Sequence, residues 1–210
     1  MTEPSSEAPV AGSWWKKYPF VIAFVLGVIV LTALPFLQRR FLKAPPAIAP
    51  LATWRLSTVD DARAFGSAEL AGHVFIVFFA TGPCEKACLE AQQAFGRGVD
   101  HTDDLGDKVH FVTVARDTAA PALKALAQGR WHVVTGSDDA LTPLVSSLHS
   151  AWALRGGFDA GSTLPEQIAL EAFALVDQEG QVRDFWRADS AGRGNAINAA
   201  RLLARYGPNP

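Results

Sequence analysis

Hydrophobic and polar positions follow three successive rhythms in this chain. The first dozen residues are polar, rich in Ser, Glu and Pro, a composition that predicts a disordered tail over 1–12. From Tyr18 to Leu37 the chain turns uncharged and mostly apolar. As a helix this run is about 30 Å long, the thickness of a bilayer core. Trp14, Trp15 and Tyr18 suit one interface; Lys16 and Lys17 flank one end, and Arg39, Arg40 and Lys43 the other. A cleaved signal peptide normally has a shorter apolar part and a small-x-small site, whereas this run leads into Gln38-Arg39-Arg40. A single retained transmembrane helix is expected, with its flanks covering 13–40. Positive charge is nearly balanced across it and does not orient it. Residues 41–52, rich in Pro and Ala, read as a semi-stiff tether, and 53–210 as one folded domain.

In that domain short apolar runs alternate with amphipathic stretches. Trp54–Val59 predicts a strand, His73–Ala80 a buried strand, Glu85–Arg97 a helix and Lys108–Ala115 a second buried strand. Ala119–Gln128 predicts a helix, Trp131–Thr135 a short strand and Leu141–Ala153 another helix. Glu171–Val176 and Gln181–Arg187 flank Asp177-Gln-Glu-Gly180, a hairpin signal. Asn195–Tyr206 closes as a helix, with Ile197, Ala200 and Leu203 on one face and Gly207-Pro208 ending it. A β-α-β front followed by a hairpin and a final helix predicts an α/β fold, a thioredoxin-like three-layer α/β/α sandwich behind the membrane helix.

Composition narrows the chemistry. A net charge of -2 leaves no basic footprint, which argues against a nucleic-acid partner. Roughly 155 residues beyond the anchor suffice for one domain with its own core. The chain has only 2 cysteines, so disulfide stapling cannot be what holds the fold together.

Those two, Cys84 and Cys88, follow the strand His73–Ala80 and the turn Thr81-Gly82-Pro83, at the mouth of the next helix. Residues at i and i+4 share a helix face, with Cβ atoms roughly 5–6 Å apart. A disulfide needs roughly 3.5–4.5 Å, so closing one requires a modest adjustment of the first turn. The same spacing suits one Cu(I) ion bridged by two thiolates. Geometry permits both redox and metal chemistry and does not choose between them. Cys88, Ala91 and Phe95 form an i, i+3, i+7 stripe, which puts Cys88 toward the core side and leaves Cys84 the more exposed. Helix N-terminal amides favour the Cys84 thiolate, Lys86 helps and Glu85 opposes. Cys84 is thus the candidate attacking thiol and Cys88 the resolving one. Against this stands the common case of buried, inert free cysteines.

Other candidates are weaker. His110 sits in an apolar strand and reads as a hydrogen-bonded structural residue, while His73 opens a strand and His132 follows Trp131. His101 lies in a polar loop and His149 reads as a helix-surface residue. None has ligand spacing to another histidine or to the cysteines, and none is assigned a metal role. Arg116 and Asp117 begin the next helix and could orient the thiol loop by an ion pair, or simply complement a helix dipole. The glycine-rich loop Arg155–Thr163 has no phosphate-loop pattern and reads as a rim. Trp131, Trp152 and Trp186 read as core.

From about Leu56 to Tyr206 the chain resembles the SCO/SenC family (synthesis of cytochrome c oxidase), membrane-anchored thioredoxin-fold proteins with a Cys-x-x-x-Cys motif. The resemblance rests on Phe78-Phe79-Ala80-Thr-Gly-Pro-Cys84-x-x-x-Cys88 and on Val112-Thr-Val-Ala-Arg116-Asp117-Thr118. Trp131-x-x-x-Thr135-Gly136 and Leu175-Val176-Asp177-x-x-Gly180 add to it. It implies a domain on the outer, periplasmic-type side that binds copper or reduces a disulfide during assembly of the oxidase's copper centre. An oxidase subunit or another thiol protein would be its partner, besides membrane lipid. The family's third copper ligand, a histidine before the strand matching Glu171–Val176, is missing, and Ala169 falls near its place. Glu85 and Leu89 stand where prolines commonly follow the motif cysteines, and the Asp-Pro before Arg116-Asp117-Thr118 is missing too. Two thiolates remain, adequate for Cu(I) and poor for Cu(II). Three readings stand: a tethered thiol–disulfide oxidoreductase, a Cu(I) metallochaperone using Cys84 and Cys88, and a non-catalytic interaction partner.

Overall fold

The computed structural model describes residues 18–41, 44–80, 86–116, 120–156 and 172–207, with side chains at all of these except 34–41, 86–88, 91 and 120–121. The chain divides into two compact units, Met1–Lys43 and Ala44–Pro210. In the first, α1 spans Pro19–Phe41. Its described side chains are apolar except for Thr32 and largely exposed, Phe20 at 87 %. Among the described residues no helix is long and apolar enough to cross a membrane. Side-chain description of the expected span Tyr18–Leu37 stops at Ala33.

In the second unit the elements run β1 (Ala49–Pro50), β2 (Arg55–Thr58), β3 (Ala64–Gly66), β4 (Val74–Ala80), α2 (Lys86–Asp100), β5 (Val109–Arg116), α3 (Ala120–Leu123), β6 (Trp131–Gly136), α4 (Asp138–Arg155), β7 (Ala172–Val176), β8 (Gln181–Arg187) and α5 (Ser190–Tyr206). They build one sheet in the order β1-β8-β7-β4-β5-β6-β2-β3. β4, β5 and β6 pair in parallel, while β7 joins β4 antiparallel and β2 joins β6 antiparallel. All seven residues of β4 are buried, as a continuous apolar run between two covered faces demands.

One face of β4 and β5 (Val74, Ile76, Phe78, Val109, Phe111) packs with Phe95 of α2 and Ile197, Ala200 and Leu203 of α5. The other (Phe75, Val77, Phe79, Val112, Val114) packs with Leu141, Leu144, Leu148 and Trp152 of α4. This is the expected three-layer sandwich. Trp131 and Trp152 are core, and Trp186 packs against it partly buried.

Helix ends differ from the periodicity reading for local reasons. α4 starts three residues before Leu141 because Ser137 caps it, its side chain accepting from the Ala140 N–H, and Gly156 ends it at φ 90. α5 starts at Ser190 because Asp189 caps it through the Gly192 N–H at 2.7 Å. The helix expected over Ala119–Gln128 is cut short: a 3-10 turn, Lys124–Leu126, follows α3, and Gln128 and Trp131 exchange backbone hydrogen bonds around Gly129. Arg116 ends β5 instead of opening a helix.

The tether expected over 41–52 is corrected from Ala44 onward. Ala49 and Pro50 pair with Val182 and Gln181 of β8. The Ile48 N–H donates to Val182 O, and Leu51 N–H to Gly180 O, both at 2.8 Å. Ile48, Ala49 and Leu51 also pack on the core. Arg183 clamps the same segment, donating to Pro45 O at 3.2 Å while its guanidinium pairs with Asp177. An apolar Ala-Ile-Ala stretch beside an open sheet edge gains more from pairing than from solvation.

Candidate functional site

The three parallel strands end together, with Ala80 beside Ala115, Ala115 beside Thr135 and Arg116 beside Gly136. Strand carboxyl ends are where α/β sheets present their chemistry. The ends of three motif pieces far apart in sequence, Phe79-Ala80, Ala115-Arg116 and Thr135-Gly136, thus share one region. Ala80 and Ala115 are buried there with Leu123 and Val133, and Leu89 of α2 packs on this small apolar floor.

From this edge the chain leads into α2, and Cys88 is the third residue of that helix. Cys84, Asp117 and Ala169, the side chain of Cys88, and the loop beyond Gly156 lie outside the described residues. Position 88 falls on the stripe of α2 that continues through Gln92 and Phe95, both buried.

α2 is held firmly. Phe95 meets Phe78, Phe111, Phe173 and Trp131 with ring centroids 5.6, 5.3, 5.3 and 6.1 Å away. Such aromatic pairs add about 0.5–1.5 kcal/mol each beyond burial. Gly96 lets the helix approach closely, since a Cβ there would sit 2.4 Å from Trp131 Cζ3. At the far end Arg130 Nη2 donates to Val99 O at 3.0 Å and Nη1 to Thr102 Oγ1 at 3.0 Å, satisfying terminal acceptors.

Beneath the helix lies a polar chain that the sequence pattern does not reveal. Trp131 Nε1 donates to Thr113 Oγ1 at 3.0 Å, and Thr113 Oγ1 donates to Gln92 Oε1 at 2.8 Å. Gln92 and Thr113 are both 0 % exposed. Gln92 Nε2 is buried with no partner among the described residues.

Arg116 Nε lies 3.5 Å from Asp138 Oδ1 at the start of α4, both side chains exposed. Such a pair is worth at most about 1 kcal/mol and is screened by salt.

Three histidines gather at the opposite, amino-terminal end of these strands. His110 Nδ1 and His132 Nε2 are 3.1 Å apart, and the His73 ring stands edge-on to His110 at 4.7 Å. His132 also stacks on Phe65 at 4.2 Å. His73 Nδ1 meets Asp107 O at 2.6 Å. The structural, hydrogen-bonded reading of His110 holds. What sequence spacing hides is that adjacent parallel strands bring it to His132. Burial, then the neighbouring His110, pushes His132 down from 6.5 to about 4. Burial, then the charge of His73, lowers His110 as well. His149 sits half-buried on α4. Among the described residues no group of three or more His, Cys, Asp or Glu side chains is placed to hold a metal ion.

No family model matches the chain, and no curated protein does. Solved structures do. A SCO1/SenC family lipoprotein from Bacillus anthracis is similar over 78% of this chain and 100% of its own, at 19% identity and a TM-score of 0.58. BsSco, a member of the Sco family of cytochrome c oxidase assembly proteins in which a disulfide switch was identified, is similar over 79% of this chain and 98% of its own, at 15% identity and a TM-score of 0.55. A thiol:disulfide interchange protein of the thioredoxin family from Chlorobium tepidum covers 78% of this chain and 99% of its own, at 17% identity and a TM-score of 0.51. At these identities the likeness is one of fold: the domain has the thioredoxin-like α/β architecture that SCO/SenC proteins and thiol–disulfide interchange proteins share.

Proposed function

We propose that this chain is a membrane-anchored, SCO/SenC-type thiol–disulfide protein whose domain works on the outer side of the membrane in assembly of the oxidase's copper centre. The observation that carries the reading is positional. The Cys84-x-x-x-Cys88 motif spans the passage from the central strand β4 into α2, in a fold shared with SCO and thiol–disulfide interchange proteins. The apolar character of the described side chains of α1, Thr32 apart, supports the anchor, because a helix without a polar face is suited to lipid.

In this reading the Cys84 thiolate attacks one sulfur of a partner's disulfide, forming a mixed disulfide and releasing one partner thiolate. Cys88 loses its proton and attacks the Cys84 sulfur, forming the Cys84–Cys88 bond and releasing the second partner thiolate. Two electrons pass to the partner, and the two protons lost by the cysteines balance its two new thiols. The partner is a protein dithiol site, such as that of a copper-binding oxidase subunit. Copper is cargo: Cys84 and Cys88 are soft donors suited to Cu(I).

The test uses the full chain in detergent. Redox titration with alkylation readout is expected to interconvert a dithiol and an intramolecular disulfide. Cys88→Ser is expected to trap the mixed disulfide, and Cys84→Ser to abolish reaction. Stoichiometric Cu(I) retention against a chelator, lost in either variant and without redox cycling, would favour the metallochaperone instead. Cysteines that resist alkylation in the native state would end both.

A further inference from the structure

His73, His110 and His132 stand together where the thiol reading gives them no part. His110 of β5 and His132 of β6 are 22 residues apart in sequence, and the parallel register sets them on one sheet face.

His110 Nδ1 and His132 Nε2 are 3.1 Å apart. The ring centroids are 5.3 Å apart, farther than the nitrogens by two ring radii, and the ring planes differ by 23°. The two nitrogens therefore face each other head-on. One shared proton bridges them as a hydrogen bond, and the same inward-turned lone pairs are also a pair of metal donors.

The direction of those lone pairs selects the ion. Two metal–nitrogen bonds of about 2.0 Å set their nitrogens about 3.3 Å apart at a tetrahedral angle and about 4 Å apart in line. The spacing alone would suit the bent arrangement. Bent bonds, however, need both rings aimed at a point off the nitrogen–nitrogen line, and these rings are aimed along it. Zn(II) also demands more ligands. Among the described residues no third His, Cys, Asp or Glu is placed to complete such a group, and His73 Nδ1 is already engaged with Asp107 O at 2.6 Å. A head-on pair without further ligands is a two-coordinate site. In-line two-coordination belongs to monovalent d10 ions, and imidazole is a competent donor to copper.

We infer that His110 Nδ1 and His132 Nε2 form a two-coordinate site for a monovalent d10 ion, Cu(I) or Ag(I), which takes the place of the shared proton. Seating the ion parts the nitrogens by about 0.9 Å, a movement that two half-buried side chains divide between them. Phe65 stacks on His132 at 4.2 Å and the His73 ring stands edge-on to His110 at 4.7 Å, so both ligand rings are braced from outside the pair. Binding leaves the His110 proton on Nε2, which is buried with no hydrogen-bond partner among the described residues. Two coordinate bonds outweigh that cost. The site is separate from the strand ends that lead to Cys84 and Cys88, and it does not depend on the thiol reading.

The test uses the full chain in detergent, carrying Cys84→Ser and Cys88→Ser so that no thiol competes. Cu(I) is titrated anaerobically against a chromophoric chelator. One equivalent is expected to be retained, with the X-ray absorption edge of two-coordinate, nitrogen-ligated Cu(I). Adding His132→Gln removes one of only two ligands, and should cost more than the roughly 10–100-fold that loss of a second-shell partner costs. His101→Gln and His149→Gln, on histidines outside the cluster, should leave binding unchanged. If His132→Gln fails to fold, ring-proton NMR of the cysteine-free chain with Ag(I) reports instead: the His110 and His132 signals should shift, and those of His101 and His149 should not. No retention by the cysteine-free chain, equal retention with His132→Gln, or the edge of three- or four-coordinate copper overturns the inference. Each of those results leaves the thiol–disulfide reading as it stands, since no thiol takes part.

Discussion

Acidification should destabilise the domain through the His110–His132 pair. Their facing nitrogens, 3.1 Å apart, must share one proton, one ring donating and the other accepting. Protonating His132 at Nε2 makes it the donor, so His110 Nδ1 must accept and His110 carries its own proton on Nε2, which is buried with no hydrogen-bond partner among the described residues. The charged groups around the pair give little relief. Arg63 disfavours and Asp60 favours the charge on His132, while His73 and Arg130 disfavour and Asp107 favours it on His110. With His132 lowered to about 4 from 6.5, the unfolded chain binds the proton first. Stability from this group is therefore full above pH 6.5 and falls as the pH drops through the window toward 4. A shift of that size is worth about 3 kcal/mol at 1.36 kcal/mol per unit, and partial exposure of the ring trims it to about 2. Urea unfolding of wild type and His132→Gln at several pH values between 7.5 and 4 measures it. The variant starts lower for lost stacking on Phe65, so the comparison is between slopes. Wild type should lose about 2 kcal/mol more than the variant across the range; parallel curves would refute the reasoning.

Two further outcomes follow from the packing. Asp177 and Arg183 form a buried ion pair, 1 % and 6 % exposed, and Asp177 Oδ1 also accepts the Glu179 and Gln181 N–H groups at 2.9 Å. Asp177→Ala strands the guanidinium and should cost about 3–5 kcal/mol by denaturant unfolding, with Asp177→Ala/Arg183→Met recovering part of it. Phe95→Ala removes the ring that seats α2 on the sheet and should cost about 3–5 kcal/mol. It should also speed hydrogen exchange in α2 more than in α4, and uniform acceleration would contradict that seating.

Local pattern made much of the fold legible. β4 and β5 are continuous apolar runs of strand length, the hairpin carries its Asp177–Gly180 turn, and the closing helix shows its stripe, because these signals depend on neighbours in sequence. The misses have local causes too. Ser137 starts α4 at Asp138, ahead of the first apolar position of its stripe, and Asp189 extends α5 back across Gly192 and Gly194, where propensity argues against helix. The cysteine spacing and its strand-to-helix setting were visible in the same way.

Tertiary structure decided what depends on neighbours across the sheet. The parallel register of β5 and β6 sets His110 against His132, 22 residues away, and brings Arg116 level with Gly136. Edge pairing with β8 turned Ala44–Leu51 from a spacer into part of the domain. Gln92, in a run of polar helix formers, looks like surface until Thr113 and Trp131 close over it, 21 and 39 residues further on. Sequence carries the periodicity of a single element, whereas burial and partnership belong to pairs of elements. Those pairs exist only once backbone hydrogen bonding and apolar burial have fixed strand order and register.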